Sequence, residues 1–186
     1  MDYVYWPSFL IWRTERLFGN AVLSRWPIAD QMAVDLPHKN PIIGIRRVAV
    51  AADIIIGEQR LRVVNVHLST TAVSQEKRLE QAATVIDSLA TTTGPIIIGG
   101  DFNTATKSSR VLMARLMRKA GYRQLRLPPG PTASSVVAIT GLDLILDGFF
   151  YRDLTAGTSG IDRQAETSDH YPVWGVFGWP AGDGER

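Results

Sequence analysis

Pro95-Ile96-Ile97-Ile98-Gly99-Gly100-Asp101-Phe102-Asn103 opens as an unbroken run of β-branched residues, the pattern of a fully buried strand. Two glycines end the run, and a carboxylate and an amide follow two residues apart. Such an ending fits the floor of a functional site, where flexible backbone delivers an acceptor and a donor together. It fits equally an Asx-rich turn that caps a strand. Spacing alone leaves both readings open, so the rest of the chain has to supply the context.

The 186 residues predict one domain over 1–186, long enough to bury roughly 70% of the unfolded surface. Apolar residues make up 45% and charged residues 20%, the balance of an ordinary globular protein. A net charge of +2 permits nucleic acid as a partner without demanding it. The absence of cysteine excludes disulfides, thiolate metal sites and cysteine nucleophiles. Met1 to Trp12 is aromatic-rich, with neither a basic start nor a continuous apolar core, so it does not read as a signal peptide. No apolar run is long enough to span a membrane. A soluble protein is expected, the cytoplasm being favoured over other compartments and a processed leader upstream of residue 1 left open.

Working outward from the central run, residues 73 to 90 give the clearest helical period, with Leu79, Ala82, Ala83, Ile86, Leu89 and Ala90 inward and Glu76, Lys77, Arg78 and Glu80 elsewhere. A second helix is expected near 108 to 120, stopped by Gly121. Residues 46 to 56 and 60 to 68 form a hairpin around Gly57, and the period of two sets Asn65 and His67 on one face. Residues 19 to 28 give a short strand ended by Pro27. Residues 1 to 18 carry Tyr3, Tyr5, Trp6, Phe9 and Trp12 without a clean period and read as an irregular lead-in. Beyond residue 126 come a Pro- and Gly-rich connection, an apolar run at 136 to 146, a strand near 149 to 155, a polar loop at 156 to 168 and a last strand at 171 to 177. Strands outnumber helices, which predicts packed sheets with helices outside them.

Few residues can carry chemistry. His170 stands in Thr167-Ser168-Asp169-His170-Tyr171-Pro172-Val173, where a loop brings Asp169 and His170 to one sheet end. Asp143, in Gly141-Leu142-Asp143-Leu144-Ile145-Leu146, is a carboxylate in an apolar strand and costs free energy unless it is paired. It either caps a local turn or fixes the tautomer of an imidazole, His170 being the candidate. His67 ends another β-run.

In order, the motifs G-N-A-V-L-S-R-W-P-I, V-N-V-H-L, R-x-x-Q, G-G-D-F-N, L-D-L-I and S-D-H-Y-P-V resemble those of the endonuclease/exonuclease/phosphatase superfamily over residues 19 to 178. The resemblance implies an α/β fold, an α/β/β/α four-layer sandwich of two mixed β-sheets with its site at one end. It implies roles residue by residue: His170 on the scissile phosphate, Asp143 orienting it, and Asp101 positioning or deprotonating the attacking water. Asn103 would hold phosphate and water, Asp169 would contribute to metal binding, and His67 would be the proton donor that some branches use. Arg78 and Gln81 match helix positions near the site, with salt-bridging or capping as the other reading. Mg²⁺ or Mn²⁺ is the implied cofactor, since a hard cation with oxygen ligands suits phosphate ester chemistry, and the lack of cysteine argues against a zinc cluster.

The family pattern begins with a strand bearing an asparagine, a helix, and a strand ending in Gln-Glu, whose glutamate is the principal metal ligand. Nothing before Gly19 supplies it; Asp2 and Glu15 do not stand in that context. The expectation is therefore an N-terminally incomplete sheet, with a partner chain or a missing N-terminal segment completing it. Two functions follow. One is a divalent-metal-dependent phosphoesterase, nucleic-acid phosphodiesters ranking first among substrates ahead of phosphomonoesters and phospholipid headgroups. The alternative is a catalytically impaired fragment that binds or assembles. Arg110, Arg115, Arg118 and Lys119 could face nucleic acid, but they equally form the solvated face of the second helix.

Overall fold

The β-branched run becomes β6 (Ile96–Asp101), and the runs around Gly57 become β4 (Val48–Ile56) and β5 (Gln59–His67) in a computed structural model that describes residues 1–11, 16–41, 44–134 and 144–180. β4 and β5 turn at Ile56↔Gln59, with Gly57 at φ 62°, a left-handed conformation that glycine adopts without a Cβ penalty. β5 pairs in parallel with β6, and the crossover between them is α1 (Gln75–Ser88). Adding β3 (Ile28–Asp35), β7 (Arg123–Gln124) and β8 (Asp147–Arg152) gives a six-stranded mixed sheet in the order β3-β4-β5-β6-β8-β7.

Alternation along β6 sends Ile96 and Ile98 to one face, where α1 and α2 (Lys107–Lys119) cover them. Ala82, Val85 and Leu89 of the first helical segment and Met113 and Met117 of α2 pack there with Val64, Val66 and Phe150. Each large apolar side chain buried in this way contributes about 1.5–3 kcal/mol. Ser74 caps α1, and Thr106 and Ser109 form a reciprocal capping box at the start of α2. Gly121, at φ 88°, ends α2 as expected.

The opposite face carries two antiparallel hairpins. β1 (Asp2–Ile11) with β2 (Arg16–Ser24) places Val4 and Val22 on Val50, Ala52 and Ile54. β9 (Thr155–Ile161) with β10 (Val173–Gly178) places Phe177 against the Leu125, Tyr151 and Leu154 cluster. The architecture is the expected α/β sandwich of mixed sheets. Among the described residues the two hairpins are separate two-stranded sheets, and α1 and α2 both lie on the other side.

Four expectations give way. Residues 2 to 11 are not an irregular lead-in but a strand, because the outward-facing positions are themselves aromatic: Tyr3 is 71% exposed while Val4 is 4% exposed, so the alternation is invisible to a polar/apolar reading. Pro7 is accommodated at a register shift between Pro7 and Phe9. Part of the polar loop at 156 to 168 is β9, an exposed strand of Thr, Ser and Gly whose Gly160 must stay small, since a Cβ there would lie 2.5 Å from the Trp174 ring. β3 had no apolar signal strong enough to draw an assignment. Finally, α1 buries Arg78 and Gln81 beside Ala82 and Val85, turning its inner stripe toward polar residues that serve a loop. The 136 to 143 part of the apolar run lies outside the described residues.

Candidate active site

Strand pairing sets the site. Parallel β5 and β6 bring His67 level with Asp101, and antiparallel β6 and β8 bring Asp101 level with Asp147. His67, Asp101 and Asp147 therefore stand side by side on three adjacent strands. Thr132, fully buried, fixes the fourth member: its hydroxyl accepts from the backbone N–H of Leu146 (2.9 Å) and Asp147 (3.1 Å). Its carbonyl accepts from Tyr171 N–H at 2.8 Å, and a bridge pairs Ala133 with His170. His170 Nδ1 consequently meets Asp147 Oδ2 at 2.8 Å, which holds the ring with Nε2 free to face a substrate.

The Gly-Gly-Asp-Phe-Asn segment proves to be an Asx turn and the floor of this site at once. Asn103, at φ 51°, donates its backbone N–H to Asp101 Oδ1 (2.7 Å) and its side-chain amide to Asp101 Oδ2 and Leu68 O (2.9 Å each). Both amide hydrogens are thereby spent, so Asn103 here positions Asp101 and ties β6 to the end of β5. Gly100 permits this: at φ 134°, a Cβ would lie 2.0 Å from Val66 O and 3.0 Å from Asn65 Oδ1. Asn65 donates to Ala21 O at 2.8 Å and Asn20 to Val48 O at 2.7 Å, stitching the β1–β2 hairpin to the sheet just behind.

The titratable groups are pushed apart. Burial, with Asp147 next, raises Asp101 to about 6, against the hydrogen bond from Asn103. The hydrogen bond to Asp147 raises His170 to about 9, so its resting form is the imidazolium. Burial, with the charges of Arg47 and His170, lowers His67 to about 3. His67 Nε2 lies 3.4 Å from Asp101 Oδ2, but as a neutral ring it is no cationic proton donor at neutral pH. Near pH 7.5 the site thus offers a carboxylate base and an imidazolium acid, the pairing that acid–base chemistry requires.

The endonuclease/exonuclease/phosphatase family model matches residues 2–170. The chain belongs to this family. A UPF0294 protein of Vibrio cholerae is 26% identical over 164 residues, covering 87% of this chain and 56% of the relative, so the chain spans little more than half of that protein. Among solved structures, D. rerio TDP2 complexed with a single-strand DNA product is similar at TM-score 0.71 with 16% identity, covering 94% of this chain and 76% of that one. The mannosyl-6-phosphatase Bt3783 of Bacteroides thetaiotaomicron is similar at TM-score 0.68 with 15% identity, again over 94% and 76%. At these identities the structures establish the fold.

Within this family frame, the placement of the expected residues divides. Asp101, Asn103, His67 and His170 come together. Asp143 lies outside the described residues, and the carboxylate on His170 is that of Asp147 instead. The sequence held the signal: Leu146-Asp147-Gly148-Phe149-Phe150 repeats the apolar–Asp–apolar pattern of Leu142-Asp143-Leu144, four residues on. Choosing between the two needed the register of β8 against β6. Asp169 is exposed, its charge acts on His67 and His170, and its carbonyl accepts from Ser134 N–H. Gln81 accepts from Ser69 N–H (2.9 Å) and donates to Ser69 Oγ (2.9 Å) and Pro37 O (2.8 Å), while Arg78 donates to Thr70 O and Val73 O. Both brace the loop after β5 and take no part in the site. Thr132 and Arg47, by contrast, carried no motif that would single them out.

Members of this family generally use divalent metals. Among the described residues no three His, Cys, Asp or Glu side chains come together so as to hold a metal ion. Asp101 accepts from Asn103, Asp147 is bonded to His170, and Asp169, the expected ligand, accepts from Ser168 Oγ at 3.4 Å. The described residues alone therefore do not complete a metal site. Nor is any helix among the described residues long and apolar enough to cross a membrane.

Proposed function

We propose that this chain hydrolyses phosphate esters, with Asp101 as base and His170, held by Asp147, as acid. The observation that carries the reading is the register pairing of Asp101 with Asp147 while His170 sits on Asp147 at 2.8 Å. Asp101 takes a proton from water as the water oxygen bonds to phosphorus. The ester P–O bond breaks, and the departing oxygen receives the Nε2 proton of His170. Family membership and phosphoesterase-like neighbours support this hydrolase class. Nucleic-acid phosphodiesters rank first as substrates, in keeping with the single-strand DNA product bound to TDP2, and phosphomonoesters second, in keeping with the mannosyl-6-phosphatase.

The expected Mg²⁺ or Mn²⁺ dependence stands as a requirement to be measured, and every step above runs through the chain's own groups. A strand-bearing segment that completes the layer of the two hairpins also belongs to the proposal. Exposed Leu23, Trp174 and Val176 on separate two-stranded sheets support it.

The test is hydrolysis of bis-p-nitrophenyl phosphate and of plasmid DNA with Mg²⁺, Mn²⁺ or EDTA, beside His170→Ala. Turnover lost in the variant bears the reading out. Equal turnover in parent and variant, or none from a folded parent with any metal, overturns it. Metal-stimulated turnover would put the cation's remaining ligands on the substrate or outside the described residues.

A further inference from the structure

Arg47, the residue just before β4, is held at the edge of the candidate site by contacts that leave its guanidinium donors without a hydrogen-bond partner among the described residues. Its guanidinium carbon lies 5.4 Å above the Phe18 ring. That ring meets His67 edge-on at 5.5 Å between centroids, and His67 stands 3.4 Å from Asp101. The backbone is pinned too, since Arg47 O accepts from Leu36 N–H at 3.0 Å. Arg47 therefore approaches from the β3–β4 side, across Asp101 from His170.

Two other guanidiniums with little exposure, one on the sheet and one on α1, have partners. Arg62 is clamped on Asp53 and Arg78 on loop carbonyls. No described carboxylate lies within the 4.0 Å of an ion pair from Arg47, although its charge acts on both Asp101 and His67. A half-buried cation with no counter-ion among the described residues costs free energy, and an incoming anion repays that cost. Guanidinium also presents two parallel N–H donors at the spacing of two oxygens on one phosphorus or carbon. An aromatic face beneath it restricts the side chain without consuming those donors.

We propose that Arg47 is an anion-binding residue of this site, its two forked donors taking two non-bridging oxygens of the substrate's phosphoryl group. The inference rests on the phosphoesterase reading and deepens it. Phosphate is gripped from one side by Arg47 and met from the other by His170, with Asp101 between them. A phosphate with two free oxygens, as in monoesters and diesters, satisfies the fork; a fully esterified one does not.

Inorganic phosphate is the probe. Binding is measured by isothermal titration calorimetry at pH 7.5 and low salt for the full chain, Arg47→Met, Arg47→Lys and His170→Ala, with melting curves to establish folding. Hydrolysis of bis-p-nitrophenyl phosphate is measured in parallel. Arg47→Met should bind phosphate about tenfold to a hundredfold more weakly, the loss of a charge-assisted pair of hydrogen bonds. Its kcat/KM should fall by a similar factor, chiefly through KM, and Arg47→Lys should lie between. Phosphate should raise the melting temperature of the parent but not of Arg47→Met. If Arg47→Met does not fold, Arg47→Lys decides, with at least threefold weaker phosphate binding expected.

Phosphate binding by either folded variant within twofold of the parent overturns the proposal, as does a parent that binds no phosphate. Turnover lost in His170→Ala but untouched in Arg47→Met would sink the Arg47 role while keeping the hydrolase. Phosphate bound through Arg47 by a parent that turns nothing over would do the reverse.

Discussion

Thr132→Val separates the brace of the site from its chemistry. The substitution is nearly isosteric, so it opens no cavity; what it removes is the hydroxyl that accepts from Leu146 N–H at 2.9 Å and Asp147 N–H at 3.1 Å. The position is fully buried, so water cannot replace the lost acceptor. Each orphaned backbone donor costs about 1–3 kcal/mol, which puts the change for the two at roughly 2–6 kcal/mol. Against a typical total of about 5–15 kcal/mol that is a large fraction, equivalent to a fall of roughly 5–15 °C in Tm. Urea unfolding of the parent, Thr132→Val and Thr132→Ser measures it. Serine keeps the acceptor and loses one methyl, so it should cost only about 1 kcal/mol. The valine variant should also lose turnover, because Asp147 loses the backbone anchor that fixes it under His170. Equal stability of the valine and serine variants would refute the brace.

Gly100→Ala forces a Cβ to within 2.0 Å of Val66 O at φ 134°, so β5 and β6 must part beside His67 and Asp101; a loss of about 3 kcal/mol or more is expected in urea melts, and less than 1 would contradict the packing. Gln81→Leu strands Ser69 N–H and removes the donor to Pro37 O and Ser69 Oγ, predicting about 2–4 kcal/mol of destabilisation with kcat little changed per folded molecule. Activity should be bell-shaped in pH, rising as Asp101 ionises near 6 and falling as His170 deprotonates near 9. Asp147→Asn should pull the alkaline limb down by at least one pH unit, and an unmoved limb would dissociate His170 from it. Asp101 has a folded pKa of about 6 against 3.8, so its protonated form favours the fold, a contribution complete below 3.8 and lost as pH rises through 6. Asp101→Asn keeps only one of the two acceptors that Asn103 uses, so it should fall below the parent at acid pH and gain on it by about 2–3 kcal/mol between pH 3 and pH 8.

What could be read from the sequence and what could not differ for physical reasons. β6 and β4 announce themselves as nearly unbroken apolar runs, β5 and α1 because one face is more apolar than the other, and a glycine must turn the chain between β4 and β5. β1 hides because Tyr3 and Tyr5 face outward, and β9 hides because it is polar and exposed, with Gly160 there for the room that Trp174 needs. The helix stripe was misplaced by the buried Arg78 and Gln81. Their burial is stable only because the loop after β5 offers carbonyls and an amide to satisfy them, and no periodicity reveals a partner on another element.

The same distinction runs through the site. Asp101, Asn103 and His170 are marked by local company, a Gly-Gly hinge or a neighbouring carboxylate, and local company is what a sequence displays. Asp147, Thr132 and Arg47 owe their places to pairings between distant strands. Asp143 and Asp147 are four residues apart in similar apolar settings, yet on β8 only the residue opposite Asp101 can reach His170, which the Ala133 bridge delivers from the far end of the chain. A slip of one residue in that register would turn Asp147 to the other face of the sheet and bring no carboxylate to the ring. The place of Asp101 is therefore set by a motif, whereas the pairing of His170 with its carboxylate is set by topology. Substitutions that loosen β8 from β6 should weaken the alkaline limb of the pH profile before they touch the acid one.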